Sequence, residues 1–119
     1  MELNRQIKQG DIWLINFEPQ VGKEIKKTRP AIVISNSFLH SRGFVFVAPI
    51  TSWQVKFKGS LYFVELFKDN INNLKNDSFV DCSQIKSFST QRLVKLIGKT
   101  DSKTLSLINE ILFILTEKI

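Results

Sequence analysis

The apolar residues of this chain come in short runs. DIWLINFE (11–18), AIVIS (31–35), FVFVAPI (44–50), LYFVEL (61–66), SFVDC (78–82) and LVKLIG (93–98) are mostly rich in β-branched or aromatic side chains and are separated by polar turns. Runs of that length and composition predict β-strands. The second and third are almost wholly apolar, which predicts cover on both faces of a sheet. A shorter pairing segment is expected around 84–88. One pattern breaks the series. After Asp101 or Ser102, either of which suits a helix N-cap, Leu105, Ile108, Ile111, Leu112, Leu115 and Ile119 recur at helical spacing and form one apolar stripe. Phe113 falls on the opposite, mostly polar arc with Asn109, Glu110 and Glu117, either as an isolated exposed ring or as a contact with a second subunit. Short strands and one terminal helix in 119 residues predict a single domain, residues 1–119, mainly β, built as a compact barrel-like sheet with the C-terminal helix packed on it.

Composition narrows the chemistry. With 43% hydrophobic residues and ten Phe, a chain of this length buries enough surface to hold itself together. Its one cysteine, Cys82, has no internal partner, so a buried thiol in a reducing compartment is expected. The opening MELNRQIKQGDIW has no apolar run after its charges, and the most apolar stretch, 105–115, is broken by Ser106, Asn109 and Glu110. A signal peptide and a membrane span are therefore not expected, and a cytoplasmic address is. One His and one Cys, with no HExxH or CxxC spacing, leave a metal site without support. Asp77 and Asp81 read as surface acids on one strand face. No phosphate-cradling glycine motif is present, and His40, in NSFLHSRGF, reads as a solvated loop residue.

The net charge is +6, and half of it sits in one place. Between Gly22 and Pro30 stand Lys23, Lys26, Lys27 and Arg29 against the single acid Glu24, in the longest connection between expected strands. Arg29 precedes a proline, which biases its backbone toward an extended conformation. Its planar guanidinium suits a phosphate better than an ammonium does. Thr51 and Ser52 follow the apolar run that ends in Ile50, so they are expected to emerge at a strand end. Pro49 is expected at an edge or a bulge. These same residues are also those of a solvated loop, a turn cap and a charge screen. Composition and pattern stop at a small basic β-rich domain with a candidate phosphate-binding loop.

The strings GDIWLINFEPQVGKEIKKTRPAIVIS (10–35), VAPITS (47–52) and DCSQIKSFSTQRLVKLIGK (81–99) resemble, in order and spacing, the MazF/PemK toxin family over nearly the whole chain. The resemblance implies an SH3-like small barrel with a C-terminal helix. It also implies a homodimer that cuts single-stranded RNA at short sequences with no metal and no cofactor, opposed by a cognate acidic antitoxin. The ribose 2′-hydroxyl then serves as nucleophile, and the protein has to position it, accept a proton and stabilise charge on phosphate. By resemblance Arg29 and Thr51 fall on the family's catalytic positions, and Glu24 on a loop carboxylate proposed as general base in some members. Lys23, Lys26 and Lys27 are expected to hold the RNA backbone, with Ser52, Gln84 and Lys86 as further RNA contacts.

One departure bears on mechanism. A plasmid-borne branch of the family uses an Arg and an Asp on the strand matching 78–83, with a loop His. Here that stretch carries Asp81 and Ser83, and residues 19–29 contain no His. The Arg29/Thr51 version is therefore expected. Two rival readings share the fold: a non-catalytic toxin acting on a protein target such as DNA gyrase, and a nucleic-acid-binding module without activity. Neither needs Arg29, Thr51 and Glu24 together.

Overall fold

The computed structural model describes residues 6–17 and 28–119. Among these, seven strands form one antiparallel sheet: β1 (Asp11–Asn16), β2 (Thr28–Val33), β3 (Phe44–Ser52), β4 (Phe63–Leu66), β5 (Ser78–Asp81), β6 (Lys86–Ser89) and β7 (Leu93–Lys99). A four-residue helix α1 (Ser37–His40) precedes β3, and α2 (Ser102–Thr116) closes the chain. The order across the sheet is β4-β5-β3-β2-β1-β7, with β6 added beside β3. All six expected strands are present, and the expected short segment is β6.

The sheet is two-faced, and side chains alternate between its faces with the period of a strand. Ile12, Ile32, Ile34, Ala48, Ile50, Val64, Leu66, Val80 and Cys82 make one buried cluster, closed by Ile108 of α2. Trp13, Ile15, Ala31, Val33, Val45, Val47 and Leu93 make a second, against which Ile7, Phe17 and Phe88 pack. Odd-numbered residues of β1, β2 and β3 thus face one way and even-numbered residues the other. This is why 31–35 and 44–50 carry so few polar residues. Each fully buried Ile or Val among them contributes roughly 1.5–3 kcal/mol.

β3 is the strand on which the sheet divides. Its residues Phe44–Val47 pair with β6, whereas Ile50–Ser52 pair with β5. Pro49 lies between these two stretches, opposite Ala31 of β2. It is therefore inside a central strand, and the expected edge position is corrected. The bond from Ile34 N–H to the Phe46 carbonyl sets the alternation and turns the Pro49 nitrogen away from β2, toward the point where β6 has ended and β5 begins. β2 also starts earlier than the apolar run suggests, with Pro30 opposite Leu14.

Helix α2 begins where expected. The Asp101 side chain accepts from the Thr104 N–H at 2.7 Å, which holds its carboxyl below the usual carboxylate range. The first four residues of the apolar stripe are used: Ile108 is buried and Leu105, Ile111 and Leu112 pack against the core, while Leu115 and Ile119 are exposed. Phe113 is 70% exposed.

His40 is not the solvated residue the sequence suggests. Its Nε2 lies 2.7 Å from Ser35 Oγ and its Nδ1 lies 3.0 Å from the Ile7 carbonyl. Ser35 Oγ also accepts from the Phe46 N–H. The ring ties residue 7, the end of the β2 segment and β3 together. Asp77 and Asp81 also have local roles. Asp77 precedes β5 and accepts from the Lys68 N–H, and Asp81 accepts from both the N–H and the hydroxyl of Ser83.

Candidate active site

Arg29 and Thr51 come from β2 and β3, consecutive strands that are neighbours in the sheet. β2 and β3 pair through Ala31–Pro49, Ile32–Ala48 and Val33–Val47, and the paired register ends there. Continuing it by two residues brings Arg29 to the position facing Thr51. Pro30, which has no N–H to give, sits where the next bond toward β3 would form. Each residue is then held from its far side: Arg29 is paired with Ile15 of β1, and Thr51 with Phe79 of β5. The two side chains lie on the same sheet face, Arg29 exposed and Thr51 half-buried. A cationic fork and a hydroxyl at facing positions, over strands that have ceased to pair, make a site suited to phosphate oxygens.

The other expected residues divide. Ser52 is exposed but is adjacent to Thr51 in β3, so its side chain turns to the opposite face. Lys86 is exposed and stands opposite Val47, on the face of Thr51 and four residues back along β3, or about 13 Å. Gln84 is exposed in the 3₁₀ turn Cys82–Gln84. Lys23, Glu24, Lys26 and Lys27 lie outside the described residues.

An aromatic group completes this face beyond Thr51. Trp53 continues the β3–β5 ladder, its N–H donating to the Asp77 carbonyl at 2.9 Å, so it shares the face of Thr51. Its ring stacks on Phe79 with centroids 5.6 Å apart and planes at 22°. Phe57 and Phe63 stack on each other at 4.1 Å, and both meet Phe79 edge-on at 5.8 Å. Trp53 Nε1 donates to Glu65 Oε2 at 3.0 Å. These residues were not among the sequence-based candidates. The alternation from Thr51, inside the PITS string, to Trp53 just beyond it is the signal that could have found them.

Cys82 belongs to the core and not to the site. Burial, and then the charge of Asp81, push its thiol up to about 11, so it is a neutral thiol at ordinary pH.

The sheet and its terminal helix are those of a toxin of the type II toxin–antitoxin class. A family model described as PemK-like, MazF-like toxin of type II toxin–antitoxin system matches residues 8–115, and the chain belongs to that family. Endoribonuclease MazF9 of Mycobacterium tuberculosis is 31% identical over 113 residues, covering 89% of this chain and 92% of its own. The crystal structure of MazF (Form-I) from Deinococcus radiodurans superposes with a TM-score of 0.69 at 25% identity, over 93% of this chain and 96% of that one. That of MazE–MazF (Form-II) from the same organism has a TM-score of 0.74 at 23% identity, over 92% and 94%, and bears on the fold alone.

Proposed function

We propose that this chain is a sequence-specific, metal-independent endoribonuclease toxin that cuts single-stranded RNA. The observation that carries the reading is the facing of Arg29 and Thr51 on one sheet face. Membership of the toxin family and the 31% identity to a protein named an endoribonuclease support it. The scissile ribose brings its own nucleophile. Its 2′-oxygen bonds to the adjacent phosphorus while the bond to the 5′-oxygen breaks, leaving a 2′,3′-cyclic phosphate and a 5′-hydroxyl. Arg29 stabilises the negative charge that builds on the phosphoryl oxygens, and Thr51 donates a hydrogen bond to them. Glu24 takes the 2′-hydroxyl proton, and the departing 5′-oxygen takes a proton from the Arg29 guanidinium, which regains one from water. An unperturbed carboxylate is a weak base at neutral pH, so binding of the RNA has to raise its pKa. Lys23, Lys26, Lys27 and Lys86 hold the backbone, and Gln84 contacts RNA outside the reacting phosphate, whereas Ser52, turned to the opposite face, stands outside this path.

The partners follow the same reading. Solved relatives include complexes of MazF with MazE, and a cognate antitoxin with an acidic segment would complement the net charge of +6. A homodimer would cover the apolar residues that α2 leaves exposed, Leu107, Phe113, Ile114 and Leu115. The deciding experiment is incubation of the purified protein with a long RNA, with both new ends mapped. Cyclic phosphate and 5′-hydroxyl ends at a recurring short sequence are the expected result. Intact RNA would overturn the proposal.

A further inference from the structure

We propose that Trp53 is a stacking platform for the base next to the scissile phosphate, and so a specificity-determining residue of the site. This rests on the reading above and names a part of the site beyond the reacting phosphate.

Placement comes first. Trp53 lies two residues beyond Thr51 on the same face, about 7 Å along the strand. A nucleotide whose phosphate is held at Arg29 and Thr51 therefore has its neighbour's base within reach of the indole.

The ring is also fixed more firmly than a cover over Phe79 requires. Phe79 is only 1% exposed and is gripped edge-on by Phe57 and Phe63. Trp53 stacks over it and keeps part of its own surface in solvent. A leucine would shield Phe79 equally well. The bond from Nε1 to Glu65, at an exposed position, adds little to stability because water competes for both partners. What that bond does is fix the ring's orientation in its plane. Glu65 is thus a positioning residue for an aromatic surface whose inner side is occupied and whose outer side is wet.

The surrounding charge selects the class of ligand. The 3₁₀ turn Val55–Phe57 follows directly, and Lys56 and Lys58 are both exposed there. Lys56 Nζ stands 5.2 Å from the Phe57 ring centroid. Fixed aromatic surface beside exposed cations is the pattern that binds single-stranded nucleic acid, with bases on the rings and phosphates on the ammonium groups.

The test combines emission with kinetics, using a single-stranded RNA whose scissile ribose is 2′-deoxy for binding and its all-ribose form for turnover. The chain has two tryptophans, and Trp13 is buried in the core, so Trp13 supplies a constant background. The wild-type emission is expected to fall on titration with the deoxy-blocked RNA, and Trp53→Leu to show no such change. Trp53→Leu should raise KM by about tenfold or more, the loss expected for one base–aromatic stack, with kcat changed far less. It should also blunt the preference among bases beside the cut. Trp53→Phe should recover part of the affinity, and Glu65→Gln, which keeps an acceptor for Nε1, should recover what Glu65→Ala loses. Unchanged KM and base preference in Trp53→Leu would overturn the proposal. So would wild-type emission that saturating RNA leaves untouched, including the case in which a protein partner alone alters it. If the wild-type protein cuts no RNA, the enzymatic reading falls, and the emission titration still decides the stacking.

Discussion

Arg29 and Thr51 each lie two residues beyond Ala31–Pro49, the last paired couple of β2 and β3, and neither depends on the other for its place. Arg29 is held through Ile15, and Thr51 through Phe79. Truncating either side chain should therefore leave the fold intact. Arg29→Ala and Thr51→Ala are each expected to lower RNA cleavage by about 100-fold or more, as loss of one preorganised charge-stabilising group does. Circular dichroism melts should stay within a few degrees of wild type. Cleavage at the wild-type rate by Arg29→Ala would remove it from the mechanism.

Replacement of the scissile ribose by 2′-deoxyribose is expected to abolish cutting at that position, while EDTA leaves the activity unchanged. Product analysis on paired oligonucleotides checks both. Cutting of the deoxy substrate would require an external nucleophile, and loss of activity in EDTA would require a metal.

Salt should weaken binding of single-stranded RNA, because each phosphate neutralised by a lysine releases counterions that added salt returns. Lys86→Ala is expected to reduce the slope of log affinity against log salt by up to about one, as loss of one phosphate contact does. An equal slope in the variant would place Lys86 outside the RNA path.

Gly98 lets the segment that contains Asn72 lie against β7. A side chain there would land on the Asn72 carbonyl and within 2.6 Å of the Ile71 carbonyl, both backbone atoms that cannot swing aside. The contact is fixed by bonds from Lys99 N–H to the Ile71 carbonyl and from Asn73 Nδ2 to the Ile97 carbonyl. Gly98→Ala is expected to cost about 1–3 kcal/mol, read as a lower midpoint in denaturant with little change in slope.

The Cys82 thiol is pushed up to about 11 by burial, so the folded state favours its neutral form. Its contribution to stability is complete below the ordinary thiol pKa and is lost as pH rises through about 11. Stability of Cys82→Ala should fall less steeply between pH 9 and 11 than that of the wild type. In the native protein the thiol should resist alkylation at pH 8 and react once denaturant is added.

The strands and the helix cap were legible in the sequence because alternation, apolar run length and Asp101 are local signals. The pairing order was not, since neighbours such as β3 and β5 are set by contacts far apart along the chain. Pro49 shows the limit well. Its missing N–H argues for an edge, yet a central strand tolerates it where the partner on one side changes. His40 was misread because its two partners, Ile7 and Ser35, lie 33 and 5 residues away. Arg29 and Thr51 stood out from local pattern and took their catalytic role from resemblance, and the register that relates them emerged only with the fold. Ser52 was paired with Thr51 by adjacency in sequence, which in a strand separates side chains.

The division of β3 between β6 and β5 also has a consequence for when the site comes into being. Thr51 waits on β5, and Arg29 is secured from β1, whose outer flank is closed only by β7 near the end of the chain. Such long-range pairings are slow to form, because loop closure costs entropy before the contacts repay it. A chain that has left the ribosome only as far as β4 therefore lacks both flanks, β5 beside Thr51 and β7 beside β1, and the pair is assembled only after those strands emerge.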